Sequence, residues 1–280
     1  MRALEPQVFD AIYEQVEPLL PAPKARHPLG CHRPRVPDRV CLYAMLVRLV
    51  TGCSWVDAEH LTGSVVSDTT LRARRDEWVQ AGVFEQLVET MLVAYDAKLG
   101  LHPAETLVDG SIHKAPCGGE GTGKSPVDRG KLGWKCSIAT DAKGIPMGFV
   151  VAPANSNDSV LLPDTLAAVD DQGLLEEVET LHLDRGYAGQ AVRRHAAELG
   201  ITEVVVPPIR RGVPARRRAP TKVPIGRRWP VERTISWLTN YGQLRRNTDR
   251  KVVHRYAQLA FVVAILLIAK LLDSGHLGRP

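Results

Sequence analysis

Residues 117–126 read CGGEGTGKSP, and the choice of fold turns on this stretch. Gly118, Gly123, Lys124 and Ser125 satisfy G-x-x-x-x-G-K-[ST], the spacing of a loop whose backbone N–H groups cradle nucleotide phosphates. Such a loop needs a strand directly before it and a helix starting at the Lys-Ser, so that the helix dipole also faces the phosphates. Neither flank complies. The preceding β-like run, ETLVDGS, ends near Asp109, eight residues upstream of Cys117; the following SPVDRGKLG carries Pro126, Gly130 and Gly133 where a helix should begin. An ATP-dependent reading is therefore disfavoured and no ATP is expected. A glycine-rich connector between two strands of one sheet fits better, and its Lys124 is placed to meet DNA phosphate.

Outward from this connector the texture is that of an α/β domain. LGWKCSIATD and GIPMGFVVAPA pair as a hairpin turning at 141–144, ETLHLDRGY is a further strand, and ITEVVVPP a last one. SVLLPDTLAAVDD and QAVRRHAAELG are helical. The order β-β-β-α-β-α-β-α predicts a mixed sheet flanked by helices. Residues 1–37 open on a short helical pattern and pass through PAPKARHPLGCHRPRVP, where prolines and basic residues disfavour a regular element; from Asp38 to Leu99 the periodicity is helical. Val40, Leu42, Tyr43, Leu46, Val47, Leu49 and Val50 recur at spacings of three and four, and Gly52 ends that helix. Ser54 and Ser67 are placed to cap two further helices separated by Gly63, the outline of a helix-turn-helix. In that outline the second helix offers Arg72, Arg74 and Arg75 to DNA; a plain bundle with solvated arginines fits the same pattern. The expected division is an arm or linker over 1–37, a helical DNA-binding domain over 38–100, and a catalytic domain over 101–280 that includes the C-terminal helix.

Charge points to the partner. The net +5 and pI of about 9.0 hide an uneven distribution: from Pro207 to Arg255 fourteen Lys or Arg face two acids, a local +12, so the rest of the chain carries −7. A basic block on an otherwise acidic protein suits a polyanion, and Arg210, Arg211, Arg216, Arg217 and Arg218 are the expected phosphate contacts within it. A solvated arginine-rich loop is the plainer reading. Composition, 44% hydrophobic and 24% charged, is that of an ordinary globular chain. Five cysteines without a C-x-x-C pair argue against a disulfide framework and a thiolate zinc site. The opening MRALEPQVFDAIYEQ has no signal-peptide pattern, and the apolar run from Tyr256 to Ala269 is nearer a buried helix than a membrane span. The expectation is a cytoplasmic protein, nucleoid-associated when bound to DNA, without a membrane partner.

Three acids carry the candidate chemistry. Asp109 and Asp184 each close an apolar strand, in LVDGS and LHLDRGY, and Glu232 follows Pro230 in the first turn of a helix, RRWPVERTISWL. Singly each is a cap, a turn or an ion pair. Together they form a hard-oxygen set suited to Mg²⁺ or Mn²⁺, and two such ions about 4 Å apart can activate one oxygen and stabilise another at a phosphodiester.

LVDGS, LHLDRGYAG and RRWPVERTISWLTNYGQLRRNTDRK resemble the three acidic motifs of the IS5-type group in the IS4/IS5 superfamily of insertion-sequence transposases, and GCHRPRVPDRVCLYAMLVRLVTGCSW resembles the small helical domain preceding that catalytic domain. The resemblance implies an RNase H-like DDE domain with Asp109, Asp184 and Glu232 as catalytic metal ligands. It further implies Mg²⁺, with Mn²⁺ as a substitute, double-stranded DNA as element end and target, and a homodimer holding two ends. Arg228 and Arg233 match basic positions of the third motif, Asp158 resembles a recurring acid after the third strand, and Lys135 a lysine on the second. Ile225 and Thr239 depart from the pattern, replacing a tyrosine and a basic residue. Trp229 and Trp237 either stack on bases or pack the helix. A metal-dependent nuclease and a non-catalytic DNA-binding protein remain as alternatives that use the same features.

Overall fold

The structure is a computed structural model that describes residues 2–23, 34–207 and 228–277. Its chain divides into two compact units, residues 1–99 with 238–280, and residues 100–237.

The first unit is helical. Helix α1 spans Pro6–Val16 and α2 Asp38–Thr51, which ends at Gly52 with φ +79°, a left-handed cap that glycine adopts without Cβ strain. Helix α3 (Trp55–Leu61) opens on a capping box in which Ser54 accepts from the Asp57 N–H and Asp57 accepts from Ser54. Helix α4 (Asp68–Gln80) is capped by Ser67, and Gly63 (φ +76°) turns the chain between α3 and α4 as the helix-turn-helix outline requires. Helix α5 (Val83–Leu99) packs along the C-terminal helix, with Phe84 against Phe261 at 5.2 Å between ring centroids. The core joins Ile12, Leu42, Leu46, Leu71, Trp78, Leu87 and Met91 to Ala264, Ile265 and Ile268.

The second unit is a mixed sheet. Strands β1 (Glu105–Lys114), β3 (Leu132–Thr140) and β4 (Pro146–Pro153) run antiparallel in the spatial order β1-β3-β4, and the short β2 (Gly123–Lys124) pairs with the start of β3. On the other side of β1, β5 (Thr180–His182) and β6 (Glu203–Val205) add in parallel. Helix α6 (Asp158–Asp170) follows β4 and lies against β3 and β4, where Gly148 leaves room for the α6 backbone at Val169; a Cβ there would stand 2.7 Å from the Val169 nitrogen. Helix α7 (Gln190–Glu198) crosses between β5 and β6, and α8 (Trp229–Thr239) comes after them. Three antiparallel strands followed by two parallel ones, with the first strand central, is the RNase H-like arrangement.

Three expectations change. Strand β1 does not stop near Asp109 but continues to Lys114, because its pairing with β3 runs unbroken from Leu107–Thr140 to Lys114–Gly133. The glycine-rich connector is itself partly sheet: Lys124 pairs with Leu132, and Ser125 is buried with its hydroxyl accepting from the Asp128 N–H at 3.2 Å, turned away from any phosphate. The C-terminal part of the chain sorts differently from the expected 101–280 domain. Helices α9 (Gly242–Arg245) and α10 (Val252–Asp273) belong to the helical unit, α9 meeting the end of α2 so closely that a Cβ on Gly242 would collide with the Gly52 nitrogen. Helix α10 is long and apolar enough to span a bilayer, yet most of it is buried among its own unit's helices.

Candidate active site

Alternation along β1 puts Asp109, Ser111 and His113 on one face of the sheet. Asp109 is half-buried at the point where β1 passes the end of the shorter β5, and its Oδ1 accepts from the Gly110 N–H at 2.8 Å. Asp184 lies two residues beyond β5, where its side chain caps the turn Arg185–Tyr187 by accepting from the Gly186 N–H at 2.6 Å. Because β5 is parallel to β1, both aspartates leave the sheet at the same edge.

Glu232 arrives on α8, and a second set of contacts fixes that helix. Gly144 in the β3–β4 turn has φ +80°, and a Cβ on it would stand 2.7 Å from the Pro230 carbonyl oxygen. The buried Thr234 hydroxyl donates to the Gly144 carbonyl at 2.5 Å, and the Arg233 guanidinium to the Lys143 carbonyl at 2.5 Å. Arg228 then spans two of the acids, its Nη2 3.4 Å from Asp109 Oδ2 and 3.6 Å from Glu232 Oε1.

The three acids share a field. Burial pushes the Asp109 carboxyl above the usual carboxylate range; Asp184 and Glu232 push it further, while the Gly110 N–H and Arg228 oppose the rise. Three carboxylates with Asp109 half-buried among them are a hard-oxygen donor set of the kind a divalent cation takes, so the residue types present fit the metal that the motifs imply. They stand apart all the same: among the described residues no three His, Cys, Asp or Glu side chains already share one metal-sized site.

Behind the triad, on the opposite face of β1, Asp158 Oδ1 binds Lys135 Nζ at 2.9 Å, and Lys135 also donates to the Ser156 carbonyl at 2.7 Å. Gly110 makes this possible, since a Cβ on it would collide with Asp158 Oδ1. Buried Tyr187 closes the same corner; burial, then the Asp158 charge, drive its phenol far above the ordinary value.

Several expected DNA contacts are otherwise engaged. Lys135 is 5% exposed and serves Asp158. Arg74 is 5% exposed and held by Asp38, Glu77 and the Val36 carbonyl, because its position on α4 faces the core. Arg75 pairs with Asp249 at 3.0 Å and lies over the Trp55 ring. Arg233 is taken up by Lys143 and by the rings of Trp229 and Trp237, 4.1 and 4.6 Å from their centroids, which gives both indoles a packing role. Arg72 and Lys124 are exposed, and Arg228 is within the acidic site. Arg210, Arg211, Arg216, Arg217, Arg218 and Ile225 lie outside the described residues.

One close pair escapes motif reading: Ser111 Oγ and His113 Nε2 are 2.6 Å apart, with the imidazole stacked on Trp134 at 4.5 Å. The only signal for it was the two-residue alternation of β1, visible once the strand is carried past Asp109.

An RNase H-like sheet that delivers two aspartates to one edge and a glutamate from a following helix defines the class of DDE nucleic-acid enzymes. Residues 102–268 match the family model "Transposase DDE domain", and residues 8–88 match "Putative transposase of IS4/5 family". The chain belongs to the family of transposases with a DDE domain. Over 136 residues it is 35% identical to the "Putative transposase for insertion sequence element IS402" of Burkholderia cepacia, covering 46% of this chain and 60% of that relative. Over 122 residues it is 33% identical to the "Insertion element IS402 uncharacterized 16.2 kDa protein" of the same organism, covering 44% of this chain and 82% of the relative. The match thus spans about three fifths of the first relative's length. Among solved structures, a pre-cleavage Mos1 transpososome aligns over 85% of this chain and 80% of its own at 12% identity and a TM-score of 0.27.

Proposed function

We propose that this chain is a transposase that binds the terminal inverted repeats of an insertion sequence, hydrolyses the phosphodiester at the element end, and joins the freed 3′-hydroxyl to target DNA. The observation that supports the reading is that the charges of Asp184 and Glu232 both act on the half-buried Asp109 carboxyl, with Arg228 beside Asp109 and Glu232. Asp109 and Asp184 would hold the divalent metal, Mg²⁺ with Mn²⁺ as a substitute, and Glu232 would complete the site. When bound, such ions make an oxygen nucleophilic at neutral pH and offset charge on the leaving oxygen. The chain's own residues do the positioning. The Gly144–Thr234 contact holds α8 at its distance from β1, and the Gly186 N–H orients Asp184. Arg228, 31% exposed beside two acids, is placed to pass from them to a DNA phosphate. No ATP is used. Two copies of the chain would hold two DNA ends, and the protein would work in the cytoplasm on the nucleoid.

The test is incubation of the protein and Mg²⁺ with a duplex carrying the repeats that flank its gene. Wild type should give nicked and strand-transferred product, while Asp184→Asn should retain DNA binding and give neither. Hydrolysis without joined product would reduce the activity to a nuclease, and cleavage undiminished in Asp184→Asn would remove the triad.

A further inference from the structure

The segment from Arg245 to Lys251 spends its polar side chains in two opposite ways. Asn247 and Asp249 are buried and Thr248 half-buried, while Arg245, Arg246, Arg250 and Lys251 are all exposed, and none of these four has an acidic partner among the described residues. The buried members are densely bonded. The Asn247 amide donates to the Gln243 carbonyl at 3.2 Å and to Gln258 Oε1 at 2.7 Å, and its own oxygen accepts from the Asp249 N–H at 2.9 Å. The Asp249 carboxylate is held by Arg48 from α2, Arg75 from α4 and Gln258 from α10, and its carbonyl accepts from the fully buried Arg255 at 2.8 Å. Arg48, Arg75 and Arg255 therefore converge on one buried aspartate beneath the turn.

Burying this many charges costs folding free energy that an apolar core would not, so stability alone is a poor account of the arrangement. Fixing a turn rigidly, with four cations outward, removes the ordering cost of binding a polyanion there. The turn also shares Arg75 with α4, whose Arg72 is exposed one turn earlier. We infer that Arg245, Arg246, Arg250 and Lys251 form a preorganised phosphate-binding turn for duplex DNA, built onto the helical unit beside α4 and distinct from the acidic site. The inference rests on the proposed DNA-binding function and adds to it the surface that grips the backbone.

The experiment measures binding of a mixed-sequence duplex by the full chain across a salt series, with circular dichroism confirming the fold of each variant. Arg250→Gln/Lys251→Gln and Arg245→Gln/Arg246→Gln should each bind about tenfold more weakly at 0.15 M salt. The slope of log affinity against log salt should become shallower by about 1.8 for two lost phosphate contacts. The charge-matched control Arg39→Gln/Lys98→Gln should move neither value. Equal behaviour of the turn variants and the control overturns the phosphate-binding turn while leaving the transposase reading intact. A wild-type chain that binds no duplex at all would remove that wider reading.

Discussion

Arg48 and Asp249, 201 positions apart in sequence, form a buried ion pair at 3.2 Å with side chains 3% and 6% exposed. It ties the turn after α9 to α2, and Arg75 joins from α4. Removing one partner strands a charge out of water, which costs about 3–5 kcal/mol. Asp249→Asn should accordingly destabilise the protein by about that amount in urea unfolding. Replacing Arg48 and Asp249 together by apolar residues of similar volume should recover most of the loss. A single-variant effect below about 1 kcal/mol would mean the pair is dispensable.

The same aspartate sets an acid limit. Burial alone would raise its carboxyl, but Arg48, Arg75 and His254 outweigh burial and hold it below the usual value. A depressed carboxylate contributes stability that is fully present above its unfolded pKa of about 3.9 and is lost as pH falls through the lower folded value. Acid unfolding of wild type and Asp249→Asn should converge below pH 4, with the difference between them widest above it.

His113 acts in a neighbouring window. Burial lowers its pKa from 6.5 to about 4, so the native imidazole stays neutral where the unfolded one takes a proton. Stability is therefore complete above pH 6.5 and falls between 6.5 and 4 by up to about 3 kcal/mol from this group. His113→Phe keeps a ring against Trp134 and should flatten that part of the stability–pH curve. An unchanged slope would show that the imidazole is solvated.

Why some of this was legible in the sequence and some was not follows from the range of the interactions. Ser54, Ser67, Gly52 and Gly63 work within a turn of themselves, so caps and helix ends could be read directly. The three acids each stand in a short motif, which is what singles them out in the sequence, whereas the extent of β1 beyond Asp109 is set by its pairing with β3 and is not local. Arginine roles were not legible. Arg72, Arg74 and Arg75 are neighbours on one helix, yet one is exposed, one is buried against Asp38 and one reaches Asp249, and only the tertiary partners decide which. The return of α9 and α10 to the helical unit depends on Gly52 meeting Gly242, a contact no local pattern announces.

Gly144 is the hinge point of the acidic site's geometry. Its φ of +80° and the 2.7 Å that a Cβ would leave to the Pro230 oxygen admit glycine alone. Gly144→Ala should push α8 outward with Glu232 on it, lowering the cleavage rate about 100-fold while DNA affinity changes little, as expected for misplacement of a catalytic group by about 1 Å. Thr234→Val, which removes only the hydroxyl bonded to the Gly144 carbonyl, should give a smaller loss in the same direction. If both variants cleave at the wild-type rate, α8 is not positioned by this turn.

Lys124 separates the two chemistries that its surroundings suggest. As a nucleotide-binding lysine it would be indispensable to an ATP-driven reaction, but it lies exposed on β2, opposite Leu132, and its neighbour Ser125 is bonded inward. Lys124→Ala should therefore leave Mg²⁺-dependent cleavage and strand transfer running without ATP, and the wild type should gain nothing from added ATP. Loss of a single phosphate contact should instead make the salt dependence of DNA binding shallower by about 0.9 in log–log slope. An absolute ATP requirement abolished in Lys124→Ala would restore the nucleotide-loop reading of CGGEGTGKSP.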